Sequence, residues 1–230
     1  MEETKKEEHI VKIIDIKKIT HDVLRFRVER PENYNFIPGQ ATEVSINTLK
    51  LKNEKRPFTF TCLPDSPFLE FTIKSYAEHE SGVTKHLPEL NVGDSLIIRE
   101  VWGAIHYSGP GVFIAGGAGI TPFIAILRNL RKQRELQGNT LIFSNKKQED
   151  IILESEFNTM KKEGLKVIYT LTRELKEGYE NKRINEEFLK KKIQDFSQSF
   201  YICGPVRMVG ELTSSLQKLG ANPDSIVIET

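Results

Sequence analysis

Residues 113–123 read FIAGGAGITPF: a short apolar run, a cluster of glycines, then a threonine and a proline that lead into a helical pattern. The small residues Gly116, Gly117, Ala118 and Gly119 let backbone N–H groups come close to an anion at the start of the helix, where the helix dipole favours negative charge. As a G-x-G-x-x-G frame the match is imperfect, because a frame starting at Gly117 meets Pro122 where its third glycine belongs. A tight turn that needs glycine for backbone reasons alone is the competing reading. In the helix, Thr121 is expected at the N-cap and Pro122 in the first turn, with Phe123, Ile126, Leu127 and Leu130 on one face.

Outward from this turn toward the C-terminus, GVFIA, TLIFS, LKVIYTLT, SFYIC and SIVIE are short apolar runs separated by helical stretches. Strand alternating with helix predicts a parallel sheet covered on both faces. YICGPVRM (201–208) is a second turn between such a strand and a helix, whose stripe Met208, Leu212, Leu216 and Leu219 ends at Gly220, the expected C-cap. In a doubly wound sheet, ligands bind at the carboxyl ends of the strands where the strand order reverses. If the strands leading into Gly116 and Cys203 are neighbours there, both turns border one crevice fit for a dinucleotide.

Toward the N-terminus the period changes to two, as in VLRFRVE (23–29) and FLEFTIK (68–74). With VKIIDIKKI, ATEVSIN, PFTFTC and DSLIIREV there are about six such runs, separated by turn signals such as IPGQ, LPDSP and NVGD. That is the pattern of a small antiparallel barrel. The predicted domains are 1–107 and 112–230, with SGPG (108–111) between them. One segment of the barrel is unusual: KRPFTF (55–60) sets Arg56 against Phe58, which suits a flat, anionic ligand, whereas Phe60 is expected in the core. Strict alternation puts Arg56 and Phe58 on one face and Thr59 on the other.

The 33 basic and 32 acidic residues are mixed along the chain and leave a net charge of +1, so no footprint for nucleic acid or an anionic membrane is present. The cysteines, Cys62 and Cys203, have neither disulfide-framework nor zinc spacing, and Cys62 is expected to be packing alone. No run approaches the ~20 apolar residues of a membrane helix, and the charged start is unlike a signal peptide. A cytoplasmic protein is expected. His79 and His86 flank SGVTKHL without a partner cluster and are given no role.

In chain order, RPFTF (56–60), SGVTKHL (81–87), GGAGITP (116–122) and CGPVRM (203–208) lie across a barrel followed by a parallel sheet. This combination resembles the ferredoxin-NADP reductase superfamily over essentially the whole chain, and in particular its stand-alone flavodoxin or ferredoxin reductase-like members. The resemblance implies a Greek-key barrel that binds FAD and a doubly wound domain that binds NADPH or NADH. Hydride would pass from the nicotinamide to the flavin, and single electrons from there to an acceptor protein such as flavodoxin or ferredoxin, the enzyme being a monomer. By the same resemblance, Arg56, beside Pro57, neutralises flavin phosphate, Phe58 stacks on the isoalloxazine, and Thr59 bonds near the nitrogen that accepts hydride. Gly82, Val83 and Thr84 hold the flavin pyrophosphate.

In the second domain the resemblance sets Gly116, Gly117, Gly119 and Thr121 against the nicotinamide dinucleotide's pyrophosphate and Cys203, Gly204 and Pro205 beside the nicotinamide. Thr59, Cys203 and Glu229 would act in catalysis, Glu229 as a proton relay. Only Thr230 follows Glu229, where many members end in an aromatic residue that covers the flavin, so weak discrimination between NADH and NADPH is expected. Ser144, Lys146 and Arg173 would meet the adenosine ribose, and with no acidic residue directly at that strand end the basic groups tilt the reading toward NADPH. Two other readings are an electron-transfer subunit of a larger complex, whose relatives carry a cysteine cluster that two cysteines cannot build, and a non-catalytic nucleotide-binding regulatory module.

Overall fold

A computed structural model describes residues 7–76, 82–103 and 105–229. His79, Ser81 and Thr230 therefore lie outside the described residues. The chain divides into two compact units, Met1–Gly103 and Ala104–Thr230. The split falls ahead of the SGPG turn because that turn is held by the second unit. Tyr201 Oη accepts from the Ser108 N–H (2.9 Å) and donates to the Gly109 carbonyl (2.8 Å).

The first unit contains β1 (His9–Lys18), β2 (Val23–Glu29), β3 (Ala41–Ile46), β4 (Arg56–Thr59), β5 (Phe68–Lys74) and β6 (Ser95–Trp102), with a short helix α1 (Val83–His86). The strands pair antiparallel in the order β4-β3-β6-β1-β2-β5, and a bridge between Phe60 and Phe71 joins the two ends into a barrel. Irregularities in register between Ile13 and Asp15 and between Thr42 and Val44 supply the curvature that closure requires. Inward positions obey the period-two pattern: Phe26, Val28, Leu69 and Phe71 are fully buried. Phe60 is a core residue, stacked on Phe36 at 4.3 Å and tilted against Phe71 at 5.2 Å.

Alternation fails on the opposite face of β5. Glu70, expected outside, is 1 % exposed. Its carboxylate accepts from Arg27 Nε (2.9 Å) and Thr61 Oγ1 (3.0 Å), and Arg25 lies alongside at 3.7 Å. This buried acid is paired with two guanidinium groups, as it must be.

The second unit contains β7 (Gly111–Gly116), α2 (Thr121–Gln133), β8 (Thr140–Asn145), α3 (Glu154–Lys162), β9 (Lys166–Leu171), α4 (Glu186–Lys192), β10 (Ser199–Cys203), α5 (Val206–Lys218) and β11 (Ile226–Glu229). Its five strands are all parallel, in the order β11-β10-β7-β8-β9. The chain builds outward from β7 to β9 and then returns to the other side of β7, which puts the switch point between β7 and β10. Two helix ends differ from expectation. Ile120, not Thr121, occupies the N-cap of α2, and Thr121 Oγ1 donates to the Ala118 carbonyl (3.1 Å) instead of capping. At the end of α5 the cap is Leu219; Gly220 follows at φ +98°, and the bonds Gly220 N to Gln217 O and Ala221 N to Leu216 O close a Schellman motif.

Candidate functional site

In the barrel, RPFT becomes the edge strand β4, with Arg56 and Pro57 exposed, Phe58 partly packed against the core, and Thr59 7 % exposed. Arg56 Nη1 donates to the Lys55 carbonyl (2.7 Å), and Nη2 stands 3.9 Å from Glu54 Oε2. A Cβ placed on Gly82 would sit 3.2 Å from Arg56 Nη2, and Gly82 has φ +114°. The two segments singled out in the barrel sequence therefore converge, with a guanidinium over a glycine backbone. Val83 is fully buried in the core, so it can offer a ligand only its backbone. The Thr84 carbonyl accepts from Ser75 Oγ (3.0 Å), which ties α1 to the chain just after β5. Because α1 has four residues, its dipole is weak, and any anion held here would depend mainly on Arg56 and local N–H groups. His86 pairs with Glu89 at the surface (3.1 Å).

In the second unit, β7 and β10 are neighbours, and Cys203 pairs with Ala115. The turns that follow them touch. A Cβ on Gly119 would lie 2.3 Å from the Cys203 carbonyl oxygen and 2.6 Å from Gly204 N, and one on Gly116 would lie 2.6 Å from Met208 Sδ. Gly119 is thus required by turn-on-turn packing against backbone, whereas at Gly116 the neighbour is the flexible side chain of Met208, a supporting residue beneath the glycine turn. Gly117 differs: its φ is +54° and nothing lies within 4 Å of an added Cβ, so it is the glycine where an incoming group has room. Neither α2 nor α5 has a side-chain cap or an acidic residue in its first turn; at α2 the Thr121 N–H is already bonded to the Ala118 carbonyl.

Cys203 and Glu229 pair across β10 and β11. Burial, and then the charge of Glu229, push the Cys203 thiol up to about 12, so it is protonated at neutral pH and is not a thiolate nucleophile. Glu229 Oε2 is buried without a hydrogen-bond partner, and burial raises the carboxyl above its usual range. A carboxyl of this kind can hold a proton beside the thiol. Because its folded-state pKa is the higher one, the stability it contributes is complete below the ordinary carboxylate value and is lost as pH rises through the raised value. Urea midpoints of the wild type should fall across that window relative to Glu229→Gln, which removes the titration; parallel midpoint curves would show that Glu229 is not perturbed.

Ser144 lies at the carboxyl end of β8, and the Arg173 N–H donates to the Lys146 carbonyl (2.9 Å), so the three residues expected near a ribose share one end of the sheet. Acidic groups missed in the sequence share it too. Glu174 Oε2 accepts from Gln148 N (2.7 Å) and Asp150 Oδ2 from Lys147 N (2.8 Å). In TLTRE, Glu174 sits only three residues past β9, which was the available clue.

Residues 10–107 match the family model described as an oxidoreductase FAD-binding domain, and residues 113–213 match the oxidoreductase NAD-binding domain. Among curated relatives, NADH-cytochrome b5 reductase 2 of Aspergillus niger is 27% identical over 94% of this chain and 76% of its own length. NADH-cytochrome b5 reductase 1 of Mycosarcoma maydis is 30% identical over 85% of this chain, which spans 64% of that protein. A Neisseria gonorrhoeae ferredoxin NADP+ reductase solved with bound FAD and NADP has the same fold (TM-score 0.84, 21% identity, 96% of this chain and 98% of that one). So does the cytochrome b5 reductase domain of Ulva prolifera nitrate reductase (TM-score 0.83, 20% identity, 97% of each chain). Among the described residues, no helix is long and apolar enough to cross a membrane.

Proposed function

The chain belongs to the ferredoxin-NADP reductase superfamily, and we propose that it is an NADH-dependent flavoprotein reductase that serves a one-electron carrier protein. The observation that carries this reading is the guanidinium of Arg56 set over the Gly82 backbone at the edge of the barrel. An exposed cation beside a glycine that leaves backbone room is a fit for a flavin phosphate, and half-buried Phe58 offers a ring face on the same strand. FAD, when bound, supplies the ability to take two electrons as hydride and release them singly. The protein's share is to hold and orient. Arg56 and the N–H groups near Gly82 and Thr84 would anchor phosphate, and the touching turns at Gly116–Gly119 and Cys203–Pro205 would seat the nicotinamide dinucleotide. Cys203, its thiol kept protonated mainly by burial, would stand beside the nicotinamide, and Glu229, whose carboxyl burial raises above its usual range, would hold a proton within reach.

NADH is preferred here over the NADPH that Lys146 and Arg173 suggested. The relatives' names support it, as do the carboxylates of Glu174 and Asp150 at the ribose end. For the acceptor, the relatives named for cytochrome b5 put a small haem carrier beside the flavodoxin or ferredoxin suggested by resemblance. The test is direct: protein reconstituted with FAD should reduce cytochrome b5, ferredoxin or flavodoxin with NADH at a higher kcat/KM than with NADPH. Absence of flavin binding, or flavin binding without turnover on any of the three or on ferricyanide, would favour a regulatory nucleotide-binding module.

A further inference from the structure

Deepening the NADH reading, on which it rests, we propose that Glu174 sets the choice of NADH over NADPH: its carboxylate, delivered from the loop after β9, occupies a donor that a 2'-phosphate at the end of β8 would need. In a doubly wound sheet the adenosine ribose lies beyond the strand that follows the phosphate turn, where an acidic side chain takes the 2'-hydroxyl. Here β8 ends at Ser144 and Asn145 and continues into Lys146 and Lys147, with no carboxylate in that run. The acid must come from elsewhere.

Two backbone N–H groups open the 3-10 turn that follows β8, those of Lys147 and Gln148, and groups of this kind hold anions. Both are taken by carboxylates. The Lys147 bond to Asp150 is local, three residues away, as in any capped turn. The Gln148 bond to Glu174 reaches across 26 residues and brings an acid from one loop to the other.

Glu174 is held in place from both sides. Leu171 N donates to Glu180 O (2.8 Å) and Glu180 N to Tyr169 O (2.9 Å), so the loop returns to β9. Asn181 Nδ2 bonds the carbonyls of Leu171 (3.0 Å) and Glu174 (2.5 Å), and Gln148 Nε2 bonds Tyr179 Oη (2.8 Å) and Glu154 Oε2 (3.0 Å). With Oε2 engaged, Oε1 remains to accept a ribose hydroxyl; the same charge repels a phosphate. Basic groups are close as well, but Lys147 pairs with Glu149 (3.2 Å) and Lys176 bonds Gln148 Oε1. The preference therefore rests on the charge of Glu174 as well as on the donor it occupies.

Calorimetric titration of the full chain with NAD+, NADP+ and 2',5'-ADP, for the wild type and Glu174→Gln, tests this without turnover. Glutamine keeps an acceptor for Gln148 N–H and removes the charge. The ratio of NADP+ to NAD+ affinity, and the affinity for 2',5'-ADP, should rise by about tenfold, with a smaller rise at high salt. If the wild type prefers NAD+ and the variant keeps the same ratio, the role of Glu174 is wrong while the NADH reading stands. A wild type that binds both nucleotides alike overturns the NADH reading and this proposal with it.

Discussion

Arg56→Ala is expected to fold normally and to purify without flavin. The side chain is exposed and its protein contacts are a bond to the neighbouring Lys55 carbonyl and a loose pairing with Glu54, so its loss should change stability by no more than about 0.5 kcal/mol. For a bound phosphate the account is different. A charge-assisted bond from a guanidinium is worth about 1.5–3 kcal/mol, which corresponds to a fall in flavin affinity of roughly 10- to 150-fold. Arg56→Lys should lie in between, since an ammonium supplies charge without the two-pronged geometry. Gly82→Ala approaches the same site from the other side: it strains a backbone at φ +114° and places a methyl 3.2 Å from Arg56 Nη2. Flavin absorbance per polypeptide after purification, and titration of apoprotein with FAD, measure all three. Full flavin content in Arg56→Ala, with unchanged affinity, would remove Arg56 from the site.

The convergence behind that prediction was partly legible in the sequence. RPFT stands out because an arginine set against an aromatic residue suits a flat, anionic ligand, and SGVT enters through the family resemblance. Their contact was not legible, since it depends on barrel closure through Phe60 and Phe71, a pairing of two short strands that periodicity cannot register. The parallel sheet followed from its alternation of strand and helix; that β7 and β10 are neighbours at the switch point stayed a condition, because the order of strands within a sheet leaves no periodicity to read. Glu70 escaped because alternation assigns it to the outside; its charge is met by Arg25 and Arg27, neighbours on another strand that periodicity does not reveal. Thr121 was misassigned by one residue, the ordinary uncertainty of a helix start when a 3-10 turn runs directly into the helix. Glu174 escaped for a different reason: its partner is a backbone N–H, and backbone donors leave no mark in a sequence.

Gly119→Ala is expected to cost the protein its nicotinamide dinucleotide while FAD binding is kept. An added methyl would stand 2.3 Å from the carbonyl oxygen and 2.5 Å from the carbonyl carbon of Cys203. These are backbone atoms at the end of β10, a strand bonded on one side to β7 and on the other to β11, so no flexible side chain can move aside. One of the two turns must give way, and a displacement of about 1 Å at a site that positions a reacting group can cost on the order of 100-fold in rate. Overpacking of this kind should also destabilise the unit by about 1–3 kcal/mol. Flavin content should not follow, because the residues proposed to hold flavin phosphate belong to the other unit. Gly117→Ala separates the two uses of glycine in this turn. Its φ of +54° costs an alanine about 1–2 kcal/mol, but the methyl meets no protein atom. If Gly117 N–H approaches the pyrophosphate, that variant should lose dinucleotide affinity without any shift of the Cys203 turn, whereas Gly119→Ala loses it through the shift. Calorimetric titration with NAD+, read beside urea unfolding and flavin content, distinguishes them. A Gly119→Ala protein that binds NAD+ as the wild type does would mean that the contact between the two turns has no part in seating the dinucleotide.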